Sequence, residues 1–122
     1  MQRDIKFRVY NLRDNKMHYD ITGFEFCNGD MTGVFIDGVF FLKEEVFIMQ
    51  YTGLKDKTGK EIYEGDIVEY DDYLWTIEYS KEDGAFTLNS YDILENFINT
   101  DAKWVEVIGN IYENPNLLQE EN

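Results

Sequence analysis

The sequence is poor in the residues that build reactive or cross-linked centres. In 122 residues it holds one cysteine (Cys27), one histidine (His18) and one proline (Pro115). A lone cysteine excludes an internal disulfide framework and fits a reducing compartment. One histidine and one cysteine also exclude a zinc finger, a zinc ribbon and a two-histidine metal site. Long apolar runs are missing. The longest, such as Val39-Phe40-Phe41-Leu42, reach only four residues, far short of a membrane span or the apolar core of a signal peptide. The glycines form no dinucleotide fingerprint, and no phosphate-binding Gly-Lys-Ser/Thr loop occurs. Basic residues are scarce, 11 against 25 acids. Such a chain lacks the basic face that recruits a phosphate backbone, so direct nucleic-acid binding is not expected. These absences point to a soluble, cytoplasmic protein with no membrane partner and no cofactor.

What is present is an apolar and aromatic chain of one domain's length. The 43 % hydrophobic and 16 % aromatic content excludes a disordered acidic tail. A chain this long buries roughly two-thirds of its unfolded surface, enough for a core without staples.

The net charge of -14 is unevenly placed. Residues 1–60 carry nine acids and nine bases, whereas residues 61–122 carry 16 acids against only Lys81 and Lys103. Glu69, Asp71, Asp72, Glu78, Glu82, Asp83, Asp92 and Glu95 are therefore the candidate interaction surface. If they form one continuous patch, they suit a basic host or phage protein, in the limit by imitating the charge of DNA. If they do not, solubility alone explains them. A small basic stripe (Arg3, Lys6, Arg8, Arg13, Lys16) marks the N-terminal region. Strand alternation places Lys6 and Arg8 on one side, either as a solvated face or as a patch for a neighbouring subunit's acidic half.

Turn signals recur about every eight to twelve residues, the spacing of an antiparallel β protein. A strand over residues 5–11, a turn at Arg13-Asp14-Asn15-Lys16 and a returning strand from Met17 to Phe26, broken at Gly23, open the chain. Asn28-Gly29 is a second turn. Val34-Phe35-Ile36-Asp37-Gly38-Val39-Phe40-Phe41 is the strongest hairpin signal, because Asp-Gly suits the two left-handed positions of a type I′ turn. Tyr73, Trp75, Ile77 and Tyr79 alternate with Leu74, Thr76 and Glu78. One segment breaks the β rhythm. Ser90 as a cap, Asp92 in the first turn, and Ile93, Leu94, Phe97 and Ile98 at helical spacing predict a helix over about 90–99.

Catalytic constellations are weak. His18, Cys27 and a carboxylate would make a thiol triad only by chance of folding, and His18 lies in an alternating strand that suits a surface imidazole. Asp71-Asp72, Glu44-Glu45, and Glu61 with Glu64 offer oxygen ligands for a hard cation. Adjacent acids on a strand point to opposite faces, however, which favours solvated surface over chelation. No catalytic, cofactor-binding or metal-ligating residue is assigned, and the chain is not expected to be an enzyme.

Two stretches are more specific. One runs from Met49 to Val68 and contains Tyr51-Thr52-Gly53-Leu54-Lys55-Asp56-Lys57-Thr58-Gly59-Lys60-Glu61-Ile62-Tyr63-Glu64-Gly65-Asp66-Ile67-Val68. The other is Val107-Ile108-Gly109-Asn110-Ile111-Tyr112-Glu113-Asn114-Pro115. With the opening Ile5-Lys6-Phe7-Arg8-Val9-Tyr10, they resemble the YopX family of small phage and prophage proteins, nearly end to end. Residues 22–47 match no family pattern. The resemblance implies a phage- or prophage-encoded protein acting in a bacterial host's cytoplasm; it implies no activity and carries over no catalytic residue.

The reading is an α+β fold, predominantly antiparallel β. A single domain over 1–122 would comprise an N-terminal hairpin region (1–48), a small SH3-like, barrel-like core (about 49–115) with the 90–99 helix over an open end, and a frayed 116–122. The expected role is an accessory protein that associates with other proteins, chiefly with itself as a homo-oligomer. The alternatives are an acidic DNA mimic or inhibitor of a host nucleic-acid-binding protein, and a carboxylate–metal hydrolase.

Overall fold

A computed structural model describes residues 4–82, 84–90, 93–96 and 102–119. Strands dominate, every described pairing is antiparallel, and a short helix covers Asn116–Gln119. The chain divides into two compact units, Lys6–Gln50 and Tyr51–Asn122 with Met1–Ile5.

In the first unit, β1 (Phe7–Asn11) is a central strand. It pairs on one side with β2 (Lys16–His18) and on the other with the first half of β6 (Val46–Lys55). A second sheet has the order β3-β4-β5, from Ile21–Cys27, Asp30–Ile36 and Val39–Leu42. Both of its turns are the tight ones the sequence encodes. Asn28-Gly29 has φ of 53° and 87°, and Asp37-Gly38 has 47° and 81°. Val9, Val34, Ile36 and Val46 are buried together, with Ile21, Phe24, Phe41 and Ile48 packed against them.

Two details depart from the sequence reading. The segment from Met17 to Phe26 is two strands, and the break falls at Tyr19-Asp20 rather than at Gly23. The Asp20 carbonyl accepts the Asp37 N–H (2.9 Å), which draws the chain onto the second sheet, while Gly23 stays in β3 opposite Phe35. Arg8 is buried, not part of a solvated face, whereas Lys6 is exposed. A strand flanked on both sides has less open surface than the edge strand that the stripe requires.

In the second unit β7 (Glu61–Tyr63) pairs with the second half of β6, and the main sheet has the order β11-β10-β9-β8-β12. These strands are β8 (Asp66–Tyr70), β9 (Tyr73–Ser80), β10 (Ala85–Ser90), β11 (Ile93–Asn96) and β12 (Glu106–Asn110). One face supplies Val68, Trp75, Ile77, Leu88 and Val107 to a buried cluster completed by Ile62, Ala102 and Val105. Burying each large side chain stabilises by roughly 1.5–3 kcal/mol. The indole of Trp75 donates to the Tyr70 carbonyl (2.9 Å), so its one polar atom is satisfied.

Within the predicted 90–99 helix, residues 93–96 are instead the edge strand β11, paired with β10 through Ser90↔Ile93 to Thr87↔Asn96. Ser90 is the last residue of β10, and the rest of that segment lies outside the described residues. Ile93 is β-branched and Asn96 an indifferent helix former, so over 93–96 the partner hydrogen bonds along β10 outweigh an apolar spacing of helical period. Asp71-Asp72 is likewise not a strand pair. The two residues form the β8–β9 turn, both left-handed (φ 54° and 67°), with Tyr70 across from Tyr73.

The loop after β6 is held by one carboxylate. Asp56 is buried, and its Oδ1 accepts the Thr58 N–H (2.8 Å), the Thr58 hydroxyl (2.7 Å) and the Lys60 N–H (2.9 Å). Its Oδ2 accepts the Val107 N–H of β12 (2.9 Å), 51 residues away in sequence. The Lys57 N–H donates to the Val105 carbonyl (3.0 Å) beside it. A second knot closes the unit: Asn110 Oδ1 accepts the N–H groups of Tyr112 and Glu113, and the Asn110 N–H donates to Asn114 Oδ1. Gly109 admits that close approach, because a Cβ there would run into the Asn114 side chain.

Burial by itself would raise the Asp56 pKa. The donors of Val107, Thr58 and Lys60 outweigh it and hold the carboxyl below its ordinary 3.8. A depressed folded pKa contributes stability that is complete above the unfolded value and is lost as pH falls through the folded one. Asp56→Ala should therefore destabilise the protein by about 3 kcal/mol at neutral pH. Urea melts repeated down to acid pH should show the difference between parent and variant shrinking as Asp56 becomes protonated.

Candidate functional site

The acidic candidates do not converge into one described cluster. Glu69 on β8 and Glu78 on β9 are exposed, and the register places both on the sheet face opposite Trp75 and Ile77. Glu95 is paired with Leu88, which places its position on the other face. Asp71 and Asp72 occupy the turn at one end of β9, and Glu82 the turn at the other, roughly 25 Å away by strand rise. Asp83 and Asp92 lie outside the described residues. Sequence reading omitted Glu106, the β12 residue directly across from Glu69. Cross-strand alignment of two acids raises the local negative potential, and Lys57 Nζ approaches Glu106 at 3.6 Å.

Other reactive groups are also apart. His18 Nε2 lies 2.8 Å from Asp14 Oδ2, and Cys27 is exposed at the end of β3. Asp14 feels some desolvation, but the His18 hydrogen bond and charge keep its pKa below the usual carboxylate value. Among the described residues, no group of three or more His, Cys, Asp and Glu side chains is placed to hold a metal ion. No helix among them is long and apolar enough to cross a membrane.

The feature that the sequence reading did not single out is apolar, and it belongs to the Lys6–Gln50 unit. Phe7, Phe24, Phe26, Met31 and Ile48 line a cavity of about 360 Å³ with no polar side chain in its wall. The Phe7 and Phe24 rings meet edge to face, 5.0 Å apart. Phe26 at its margin is 63 % exposed. In the same sheet β5 leaves Val39 57 %, Phe40 36 % and Leu42 50 % exposed; the register puts Phe40 and Leu42 on the face away from the buried cluster, and Val39, across from Ile36, on the cluster's side. Phe40 reaches back over Gly33, where a Cβ would collide with its ring and with the Phe41 carbonyl oxygen, and it also packs on Phe35. The sequence did carry a signal for this surface. Val39-Phe40-Phe41-Leu42 is apolar at every position, whereas a strand with one solvated face alternates. Phe41 faces the buried cluster, and its neighbours are left outside.

The arrangement offers contact area rather than reactive groups: two exposed apolar stretches on one small sheet and a negative field on the other unit. Glu69→Thr should relieve the cross-strand repulsion with Glu106 and stabilise the protein by about 0.5 kcal/mol. Thermal melts at low and high salt check this, the gain being smaller at high salt because exposed charges are screened.

Comparison with known proteins agrees with the fold. Protein EF1440 from Enterococcus faecalis, solved by crystallography, is similar at 28 % identity and a TM-score of 0.77, over 96 % of this chain and 99 % of that one. No curated protein matches the chain. A model of the family described as YopX protein matches residues 6–119. That match takes in both units and both knotted loops, and the chain belongs to the YopX family.

Proposed function

We propose that this chain is a non-enzymatic, phage-encoded accessory protein that works by protein–protein association, chiefly with copies of itself, in the cytoplasm of a bacterial host. The observation that carries the reading is the exposed apolar surface on one face of the β3-β4-β5 sheet, Phe40 and Leu42 with Phe35 across from Phe40, in a chain of net charge -14. Contiguous exposed apolar surface on a soluble domain marks a contact site, because leaving it in water costs free energy that association recovers. Family membership supports the phage origin, and the single exposed Cys27 suits a reducing compartment. The acidic unit then has a colloidal role, keeping assemblies apart and discouraging indiscriminate contacts.

A basic protein partner on the acidic face is the second reading, favoured by the exposed Glu69 and Glu78 sharing one sheet face. Sedimentation velocity across low to high micromolar concentration tests the first reading. The expected result is a mass that rises above the monomer's with concentration and persists in high salt, as apolar contacts do. A strict monomer throughout overturns self-association. Pull-down from host lysate at low and high salt tests the second, which requires a basic protein retained at low salt and released at high salt.

A further inference from the structure

We propose that Asn28 is a self-modification site, at which its side chain closes onto the Gly29 nitrogen, expels ammonia and leaves aspartate and isoaspartate in the β3–β4 turn. This chemistry is independent of the association proposed above. Asn28-Gly29 is the chain's one Asn-Gly pair. A glycine after asparagine leaves the backbone nitrogen unshielded. Both residues are exposed, and nothing lies within 4 Å of where a Gly29 Cβ would stand. Among the described residues, no hydrogen bond engages the Asn28 side chain or the Gly29 N–H.

Turn geometry brings the reaction within reach of the folded state. The imide ring joins Cγ to the Gly29 nitrogen and forces Asn28 to a ψ of about −120°, the value at the first central position of a type II′ turn. That position also takes a φ of about +60°. Asn28 already stands at 53°. The turn seen here, with both central residues at positive φ, becomes type II′ when the peptide plane between them turns over. Gly29 then passes from positive to negative φ, which a residue without Cβ does freely. Both turn types join the same antiparallel strands, so the Cys27–Asp30 pair that closes the hairpin keeps its register while the ring forms.

Water is the one co-reactant. The Gly29 nitrogen attacks Cγ, the N–Cγ bond forms, the Cγ–Nδ2 bond breaks, and ammonia departs with the Gly29 proton. Water then opens the imide at either carbonyl. One opening gives aspartate, and the other gives isoaspartate, whose main chain runs through the side chain and is one atom longer. Similar turns lack a condition. At Asp37-Gly38 the Gly38 N–H donates to Thr22 Oγ1 (3.0 Å), which resists the peptide flip, and a carboxylate is a poor electrophile. At Asn15, with φ 57°, the next nitrogen belongs to Lys16 and donates to Asp14 Oδ1 (3.0 Å). The lengthened turn acts on the cavity, since Phe26 and Met31 in its wall are paired beside Cys27 and Asp30.

Incubating the whole protein in warm, mildly alkaline buffer and mapping its peptides by mass spectrometry tests the site. The folded protein should release ammonia, with isoaspartate and aspartate both appearing at position 28 and Asp37 unchanged. Its rate should stay within about tenfold of the rate in guanidinium, because the native hairpin accommodates the ring. Asn28→Gly suits the same turn, and should keep the parent's circular dichroism while releasing no ammonia over the same period. A folded rate slower than that margin means that the hairpin protects Asn28, and the proposal is overturned. Aspartate without isoaspartate overturns the ring mechanism, and loss of ammonia from another residue in its place overturns the site.

Discussion

The architecture of the Tyr51–Asn122 unit depends on a carboxylate buried where a charge is ordinarily excluded. Asp56 is tolerated there because four donors surround it, three from its own loop and one from β12. Charge-assisted bonds of that kind offset a desolvation cost that a lone ion would not survive. The result is a short-range turn that also fixes a long-range contact. Once Asp56 holds Val107, β12 is aligned beside β8, and Val105 and Val107 are delivered to the cluster around Trp75 and Ile77. The Asn110–Asn114 knot then turns the chain out of β12. The stretches that make the family recognisable are thus largely occupied in holding the fold, which is why recognising the family says little about what the protein binds.

How much of this was legible in the sequence differs from residue to residue. Asn28-Gly29 and Asp37-Gly38 were legible because left-handed backbone admits few residue types, and those dipeptides supply them. The strand pattern Trp75–Ile77 was legible because alternation directly reports a buried face. The strand at 93–96 was not, since its apolar spacing satisfies a helix, and only β10 alongside decides the matter. Arg8 was misread for a related reason: alternation gives the side of a strand but not whether neighbouring strands enclose it. The Asp56–Val107 bond had no local signal at all, and neither did the cavity, whose walls come from β1, β3, β4 and β6. Exposure of β5 was half legible, its unbroken apolar run marking either a strand buried on both faces or one awaiting cover.

The two units carry different surfaces. Acidic excess is confined to residues beyond 60, while the exposed apolar strands belong to Lys6–Gln50, where charges of both signs nearly balance. Under the proposed self-association, contact through a near-neutral unit would avoid the long-range repulsion that 16 acids would impose. A division of this kind lets one short chain be cohesive at one surface and repellent at another.

The placement of the tryptophans has an optical consequence. Both of them, Trp75 and Trp104, lie past Tyr51, and Lys6–Gln50 contains none. Trp75 is buried in its cluster and Trp104 is exposed, so the intrinsic emission combines a shielded and a hydrated indole from the same unit. Fluorescence followed through a denaturant titration therefore reports the loosening of the cluster around Trp75. The phenylalanine fine structure of near-ultraviolet dichroism weights the Lys6–Gln50 unit instead, which holds seven of the nine phenylalanines. Superimposable curves from the two methods would make the chain one cooperative system, and separated curves would make it two.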